Sequence, residues 1–300
     1  MNYSKIAELA SNLGCRFLEN EPMASHTSFK VGGPCPIMVF PKRNEDIKAF
    51  VLACKEENLR YFILGNGSNI LVVDKGFPGV VIALGTDFSE VLVNETSITA
   101  QAGASLAKVC KTALANSLTG LEFAFGIPGT VGGAVYMNAG AYGGEMVQVV
   151  TAVTCLTPEG EIVRQTAENL ELGYRTSRFK TSKEIILSVE ISLQEGNKEE
   201  IKAKMDELME RRKSRQPLEY PSAGSTFKRP EGTFAGLVIE QSGLKGFSEG
   251  GAQISEKHAN FVINTGNATA AEILTLIEHT KLIVKSKTGY DLECEVEVIR

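Results

Sequence analysis

The chain has 300 residues, 43% of them hydrophobic and 22% charged, and a formal charge of -5. That length accommodates two or three domains with apolar cores, and the acidic balance argues against a general nucleic-acid partner while leaving room for a small, local anion site. The opening stretch Met1 to Glu8 has neither a basic region nor a sustained apolar core, and no later segment is apolar for long enough to cross a bilayer, so a cytoplasmic protein without membrane insertion is expected.

Cys15, Cys35, Cys54, Cys110, Cys155 and Cys294 are dispersed with no C-x-x-C pair, which suits reduced, mostly buried thiols. His26, His258 and His279 are equally scattered, so no metal site is expected.

In chain order, Asn44 caps a helix whose apolar positions are Ile47, Phe50, Val51 and Cys54. Tyr61 to Leu64 and Ile70 to Val73 read as buried strands on either side of a first glycine turn, Leu64-Gly65-Asn66-Gly67-Ser68-Asn69, and together these form a small β-α-β unit. Val80 to Leu84 reads as another strand. Ser105 begins a second helix through Leu106, Val109, Cys110, Ala113 and Leu114, and a second glycine stretch follows, Phe125-Gly126-Ile127-Pro128-Gly129-Thr130-Val131-Gly132-Gly133-Ala134.

Glycine weakens strands and helices unless a turn or a close approach requires it, and runs of unobstructed N–H groups form nests suited to phosphate oxygens. The second stretch lacks the Lys-Ser/Thr of a P-loop, and the first lacks the third glycine and strand-to-helix context of a dinucleotide turn. Either alone fits an ordinary tight turn, whereas the two together favour a bound cofactor.

Val147 to Leu156 and Ile162 to Arg164 flank a Pro158-Glu159-Gly160 turn, and Ile185 to Leu193 alternates as a half-buried strand, so an antiparallel sheet is expected here. Lys198 to Arg215 is a charged helix with Ile201, Met205, Leu208 and Met209 at helical spacing, closed by Pro217, and a domain boundary falls there. The last third reads as an α+β unit: a glycine-rich entry, a helix around Ala235 to Gln241, a strand Asn260 to Asn264, a helix Thr269 to Lys285 and a final strand Leu292 to Ile299.

In that final strand Glu293, Glu295 and Glu297 share one face and Cys294, Val296 and Val298 the other. The carboxylates either meet solvent or line a cleft, where repulsion and burial would keep a proton available. Tyr174-Arg175-Thr176-Ser177-Arg178-Phe179-Lys180 is either a solvated basic loop or a guanidinium site for a carboxylate or phosphate. Ala223-Gly224-Ser225-Thr226-Phe227-Lys228-Arg229-Pro230 sets hydroxyls beside two cations; Ser225 either stabilises a turn or, with no His-Asp pair to make it a nucleophile, donates a proton. Arg211-Arg212-Lys213 either attracts a polyphosphate or complements a helix C-terminus.

Taken in order, the two glycine motifs, Asn138-Ala139-Gly140-Ala141-Tyr142, Tyr174-Arg175, Ala223 to Lys228 and the closing Glu295-Val296 closely resemble the UDP-N-acetylenolpyruvoylglucosamine reductase family of flavoenzymes. The glycine motifs alone indicate the wider group of FAD enzymes related to vanillyl-alcohol oxidase, and Arg175, Ser225 and Glu295 narrow the likeness to the reductase. The resemblance implies an α+β protein. A two-subdomain FAD-binding fold of the vanillyl-alcohol oxidase type, over residues 1–85 and 86–200, precedes an α+β substrate domain over 201–300.

It further implies that NADPH reduces FAD and that the enolpyruvyl ether of UDP-N-acetylglucosamine is then reduced to UDP-N-acetylmuramate; a monomer is expected. Arg175 and a protonated Glu295 would hydrogen-bond the developing enolate, a role in which losing one donor typically costs about 3–4 kcal/mol, while Ser225 protonates C2. The cofactor residues it implies are Gly65, Asn66, Gly67, Ser68, Asn69, Gly126, Pro128, Gly129, Thr130, Gly132, Gly133, Asn138 and Ala139, and the substrate-binding residues are Tyr174 and Lys228.

Only Phe179 to Glu184 separates the Tyr-Arg motif from the next strand, so the chain resembles the shorter class that lacks an inserted tyrosine loop. His26-Thr27-Ser28 stands where Asn-Thr-aromatic is common, and Glu297 where arginine is frequent, so no role is assigned to those positions.

Overall fold

The computed structural model describes residues 3–300, which form an α+β protein of two compact units interleaved along the chain. One gathers the chain up to Glu19, Ile37–Asn66 and Gly79–Arg211; the other gathers Asn20–Pro36, Gly67–Pro78 and Arg212–Arg300. The division passes through the first glycine turn, between Asn66 and Gly67.

The two largest sheets, of four and five strands, lie mainly in the first unit. Strands Pro34–Phe40 and Tyr61–Leu64 each lie parallel to a central strand Val80–Ala83, with Ile37 and Tyr61 both opposite Val80. The central strand is an uninterrupted buried run, as a parallel strand covered on both faces must be. Helix Asn44–Glu56 buries Ile47, Phe50, Val51 and Cys54 in the same core, which confirms the 3.6-residue reading of that segment. Its cap differs from expectation. Arg43 occupies the N-cap, and the buried carboxylate of Asp46 accepts the amides of Lys42 at 3.1 Å and Arg43 at 3.0 Å.

The second sheet of this unit is antiparallel, in the order Ile162–Thr166, Val150–Leu156, Ile185–Ser192, Ser97–Gln101, Val91–Asn94. Helix Leu106–Ala115 starts at Ser105, whose hydroxyl accepts the Lys108 amide at 3.2 Å, and a short helix Val131–Tyr136 starts at Thr130. The 91–94 and 97–101 hairpin, not among the sequence expectations, shows the period-two alternation of half-buried strands.

The second unit packs helices Ala235–Gln241 and Ala270–Thr288 with a three-stranded antiparallel sheet, Ser248–Glu249, Ala252–Ile254 and Val262–Asn264. Leu71, Phe227, Val238, Ile239, Leu276 and Val284 share its core. The long helix is doubly capped: Thr269 and Glu272 form a capping box, and Asp74 accepts the amides of Ala270 at 2.8 Å and Ala271 at 3.0 Å.

Two expectations are corrected here. Tyr61–Leu64 and Ile70–Val72 do not belong to one β-α-β unit: the first pairs with Val80–Ala83, and the second pairs in parallel with Glu297–Ile299. The final strand is shorter than Leu292 to Ile299. Only Glu297–Ile299 is regular strand, while Glu293 to Glu295 lie antiparallel to 226–228 through the Lys228 amide on the Glu293 carbonyl and the Glu295 amide on the Thr226 carbonyl, both at 2.8 Å. The chain changes partner at Val296, and period two cannot register such a change.

All six cysteines are free, five of them buried. Burial pushes the thiols of Cys54, Cys110 and Cys155 up to about 12 and that of Cys35 to about 11, so they behave as small core hydrophobes. Among the described residues no helix is long and apolar enough to cross a membrane.

Candidate active site

Within the first unit the two glycine stretches meet. A Cβ added to Gly65 would lie 2.6 Å from the Thr130 hydroxyl, and the Asn66 side chain donates to the Pro128 carbonyl at 3.2 Å. Much of this glycine content serves the protein's own packing: Gly132 faces Ala102, where a Cβ would approach that residue's Cβ to 2.7 Å.

The amides are divided in the same way. Val131 donates to Ala104 at 2.8 Å, Gly132 to Ala102 at 2.9 Å and Gly133 to the Thr130 hydroxyl at 3.3 Å, so this part of the stretch is not the open nest that the sequence suggests. Among the described residues, the amides of Asn66, Gly129 and Thr130 have no acceptor in the protein, and the contact of Gly65 with Thr130 brings their two segments together. Those three donors suit the diphosphate of a dinucleotide cofactor. Gly126 lies in the turn that precedes them.

Asn138 and Ala139 give their polar groups to the protein. The Asn138 side chain donates to Gly173 and Glu145 and accepts from Val147, and the Ala139 amide donates to Ala134 at 2.7 Å. Their N–H donors are therefore committed within the protein. Tyr174 and Arg175 occupy the tip of a tight turn closed by Gly173 and Thr176, with paired backbone bonds of 3.1 and 3.3 Å. Arg175 has φ of +55°, a left-handed conformation that costs a non-glycine residue about 1 kcal/mol, and it donates to the Gly140 carbonyl at 3.2 Å.

The other cations of that segment have different tasks: Arg178 pairs with the largely buried Glu184 at 2.9 Å, and the Lys180 ammonium lies 5.3 Å from the Tyr136 ring. Arg211 stacks over Tyr142 at 5.1 Å near the C-terminus of helix Lys198–Arg215.

Within the second unit, Ser225 sits half-buried on a segment pinned from both sides. Asn260 holds it by three bonds: its carbonyl accepts the Thr226 amide at 2.7 Å, and its side chain accepts the Phe227 amide at 3.0 Å and donates to the Phe227 carbonyl at 2.9 Å. The Glu295 amide binds the carbonyl of Thr226, the residue after Ser225, so the candidate acid and the candidate carboxyl stand on adjacent, hydrogen-bonded backbones. Lys228 pairs with the exposed Glu293.

In the same unit Gly67 has φ of +60°, and a Cβ there would lie 2.1 Å from the His26 carbonyl, so only glycine fits. Its carbonyl accepts the Ser28 amide at 3.1 Å, and the Ser28 hydroxyl donates to Ser222 at 2.6 Å. Ser68 follows, and Asn69 donates its side chain to the Glu295 carbonyl at 3.2 Å. Ser28 and Asn260 carry no sequence signal beyond being polar residues beside apolar runs, because their partners are remote in the chain.

Residues 35–166 match a family model described as FAD binding domain, and residues 216–299 match the C-terminal domain of UDP-N-acetylenolpyruvoylglucosamine reductase. The protein of that name from Caldanaerobacter subterraneus subsp. tengcongensis is 50% identical over 280 residues, which are 93% of this chain and 92% of that protein. The crystal structure of UDP-N-acetylenolpyruvylglucosamine reductase from Thermus caldophilus superimposes with a TM-score of 0.81 at 36% identity, covering 95% of this chain and 99% of the other. Alkyldihydroxyacetonephosphate synthase, 15% identical over 65% of this chain and 41% of its own with a TM-score of 0.50, shares the fold alone.

The architecture is thus an FAD-binding fold of the vanillyl-alcohol oxidase type followed by an α+β domain, and the chain is an FAD-dependent oxidoreductase. Half of the 280 aligned residues are identical in the Caldanaerobacter protein, across nearly the whole length of both, and the chain belongs to the UDP-N-acetylenolpyruvoylglucosamine reductase family.

Proposed function

We propose that this chain is a cytoplasmic, monomeric, NADPH-dependent reductase that converts the enolpyruvyl ether of UDP-N-acetylglucosamine to UDP-N-acetylmuramate in peptidoglycan precursor synthesis. Residues 1–85 and 86–200 serve as the FAD-gripping subdomains and 201–300 as the substrate domain. The observation that carries the reading is the main-chain bond between Glu295 and Thr226, which places the two acidic functions the reaction needs, Ser225 and Glu295, on neighbouring backbones. The open amides of Asn66, Gly129 and Thr130 fit the cofactor's diphosphate.

When bound, FAD supplies the hydride that adds to C3 of the enolpyruvyl group. The chain's own residues manage the charge and the proton. Arg175 binds the carboxylate into which the C2 electron pair delocalises, and Glu295, in its acid form, donates a hydrogen bond to the same oxygen charge. Ser225 then gives its proton to C2; a serine hydroxyl is a weak acid, so the transfer depends on the strongly basic carbon of the intermediate and on nearby positive charge such as Lys228. Tyr174, exposed beside Arg175, is assigned to substrate binding in this reading.

The test separates the half-reactions. Ser225→Ala and Glu295→Gln should leave flavin reduction by NADPH intact and abolish flavin reoxidation by the enolpyruvyl substrate. Equal loss of both half-reactions would reject the assigned roles, and a protein that holds no flavin would reject the reading as a whole.

A further inference from the structure

We propose that Asn138 is the positioning residue for Arg175: its side-chain amide fixes the Gly173-Tyr174-Arg175-Thr176 turn, and so the place from which the guanidinium works. The inference rests on the reading of Arg175 given under the proposed function.

Asn138 is only 1% exposed, and its whole amide is engaged. Both Nδ2 hydrogens are in use, one toward the Gly173 carbonyl at 3.0 Å and one toward Glu145 Oε2 at 3.1 Å, while Oδ1 accepts the Val147 amide at 2.9 Å. This pattern fixes the amide's orientation, because a flipped group would set its oxygen against a carbonyl and a carboxylate. Its φ of +43° is one that asparagine tolerates better than most residues.

The Gly173 carbonyl is also the one that closes the turn by accepting the Thr176 amide at 3.3 Å. Asn138 therefore grips the base of the turn at whose tip Arg175 holds its left-handed φ, a conformation that persists only where the surroundings over-determine it. A second hold acts through the same segment. The Arg175 guanidinium donates to the Gly140 carbonyl, two residues beyond Asn138, and the intervening Ala139 is fixed by its amide on Ala134 and its carbonyl under the Met146 amide at 3.0 Å. Base and docking point of Arg175 thus descend from one short stretch whose conformation the Asn138 side chain locks.

The experiment is a double-mutant cycle on the flavin-loaded protein, with the flavin reduced by NADPH and, independently, by dithionite. Arg175→Ala and Asn138→Ala should each slow reoxidation by the enolpyruvyl substrate on the order of 100-fold, as a misplacement of about 1 Å does, and the double variant should be no slower than Arg175→Ala. Flavin reduction by NADPH should be affected far less than reoxidation, and amide exchange at Thr176 should accelerate in Asn138→Ala. If Asn138→Ala fails to fold, the same cycle with Glu145→Ala, which leaves Asn138 in place but removes the acceptor orienting its amide, decides the matter.

Reoxidation at the full rate, penalties that multiply in the double variant, or equal loss of both half-reactions would overturn the inference while leaving the role of Arg175 standing. Reoxidation unaffected by Arg175→Ala would instead sink the reading on which it rests.

Discussion

Asn69 donates its side-chain amide to the main-chain carbonyl of Glu295 at 3.2 Å, and its own carbonyl accepts the Glu297 amide at 3.0 Å. With the Glu295 amide bound to Thr226 at 2.8 Å, the backbone of Glu295 is held on both sides, and the last residue of the first glycine turn supplies one of the two clamps. Asn69→Ala should cost about 1 kcal/mol of stability, the usual worth of one such bond, and should slow substrate reduction roughly tenfold through a loosened Glu295. Thermal melting and single-turnover reoxidation check the two parts separately; a variant that melts earlier but reduces substrate at the full rate contradicts the clamp's role.

Gly65 is required by one neighbour, the Thr130 side chain, whose hydroxyl would lie 2.6 Å from an added Cβ. Gly65→Ala alone should lower stability by about 2 kcal/mol through overpacking and weaken FAD retention. Thr130→Ala alone should cost about 1 kcal/mol, because the hydroxyl caps helix Val131–Tyr136 through the Gly133 amide. With the side chain gone, the nearest Thr130 atom is its Cβ at 3.5 Å, so Gly65→Ala in that background should be close to neutral. Additive losses in a denaturant titration would show that Gly65 is needed for another reason.

Burial lowers the pKa of His258, whose Nδ1 accepts the Asn260 amide at 3.2 Å and therefore works in the neutral form. A base with a depressed folded pKa contributes full stability above its unfolded value of about 6.5 and loses it as pH falls from there toward the folded value, since the unfolded chain binds the extra proton first. The melting temperature should accordingly fall as pH drops below the unfolded value of about 6.5. His258→Gln should flatten that part of the profile, and an unchanged slope would assign it to other groups.

The carboxylate of Asp46 also has a lowered pKa and also loses its contribution as pH falls, but over a more acidic range. Burial by itself raises its pKa, but the Arg43 guanidinium at 2.8 Å and the amides of Lys42 and Arg43 outweigh this and hold it below the ordinary aspartate value. Its contribution is complete above the unfolded pKa of about 3.9 and disappears as pH falls through the depressed folded value. Asp46→Asn should cost about 1–2 kcal/mol at pH 7 and progressively less below pH 4, measured as urea midpoints of the two proteins. A difference that persists undiminished at pH 2 would rule out the ionised cap as its source.

Elements whose signal is local were legible in the sequence. The helices at Asn44–Glu56, Leu106–Ala115 and Lys198–Arg215 show their period, and the glycine stretches announce themselves by composition. What each glycine faces was not legible: Gly67 answers to the His26 carbonyl and Gly132 to Ala102, contacts between segments far apart in the chain. For the same reason Asn260 and Asp74 passed unnoticed, since their partners lie 33 and 196 residues away. The final strand misled because alternation from Leu292 to Ile299 is continuous while its partner is not, changing from residues 226–228 to Ile70–Val72. Arg175 and Ser225 were found through family motifs, and no periodicity marks them.

The most direct measurement follows the flavin absorbance anaerobically in a stopped-flow instrument, first on mixing with NADPH and then on adding the enolpyruvyl ether of UDP-N-acetylglucosamine, for the unaltered protein and for Ser225→Ala. Bleaching in both proteins, with colour returning on substrate addition only where the serine is present, is the predicted result. Rapid return of colour without the serine would contradict the assignment of Ser225 as the proton donor, and a flavin that NADPH does not bleach would contradict the proposed reductant.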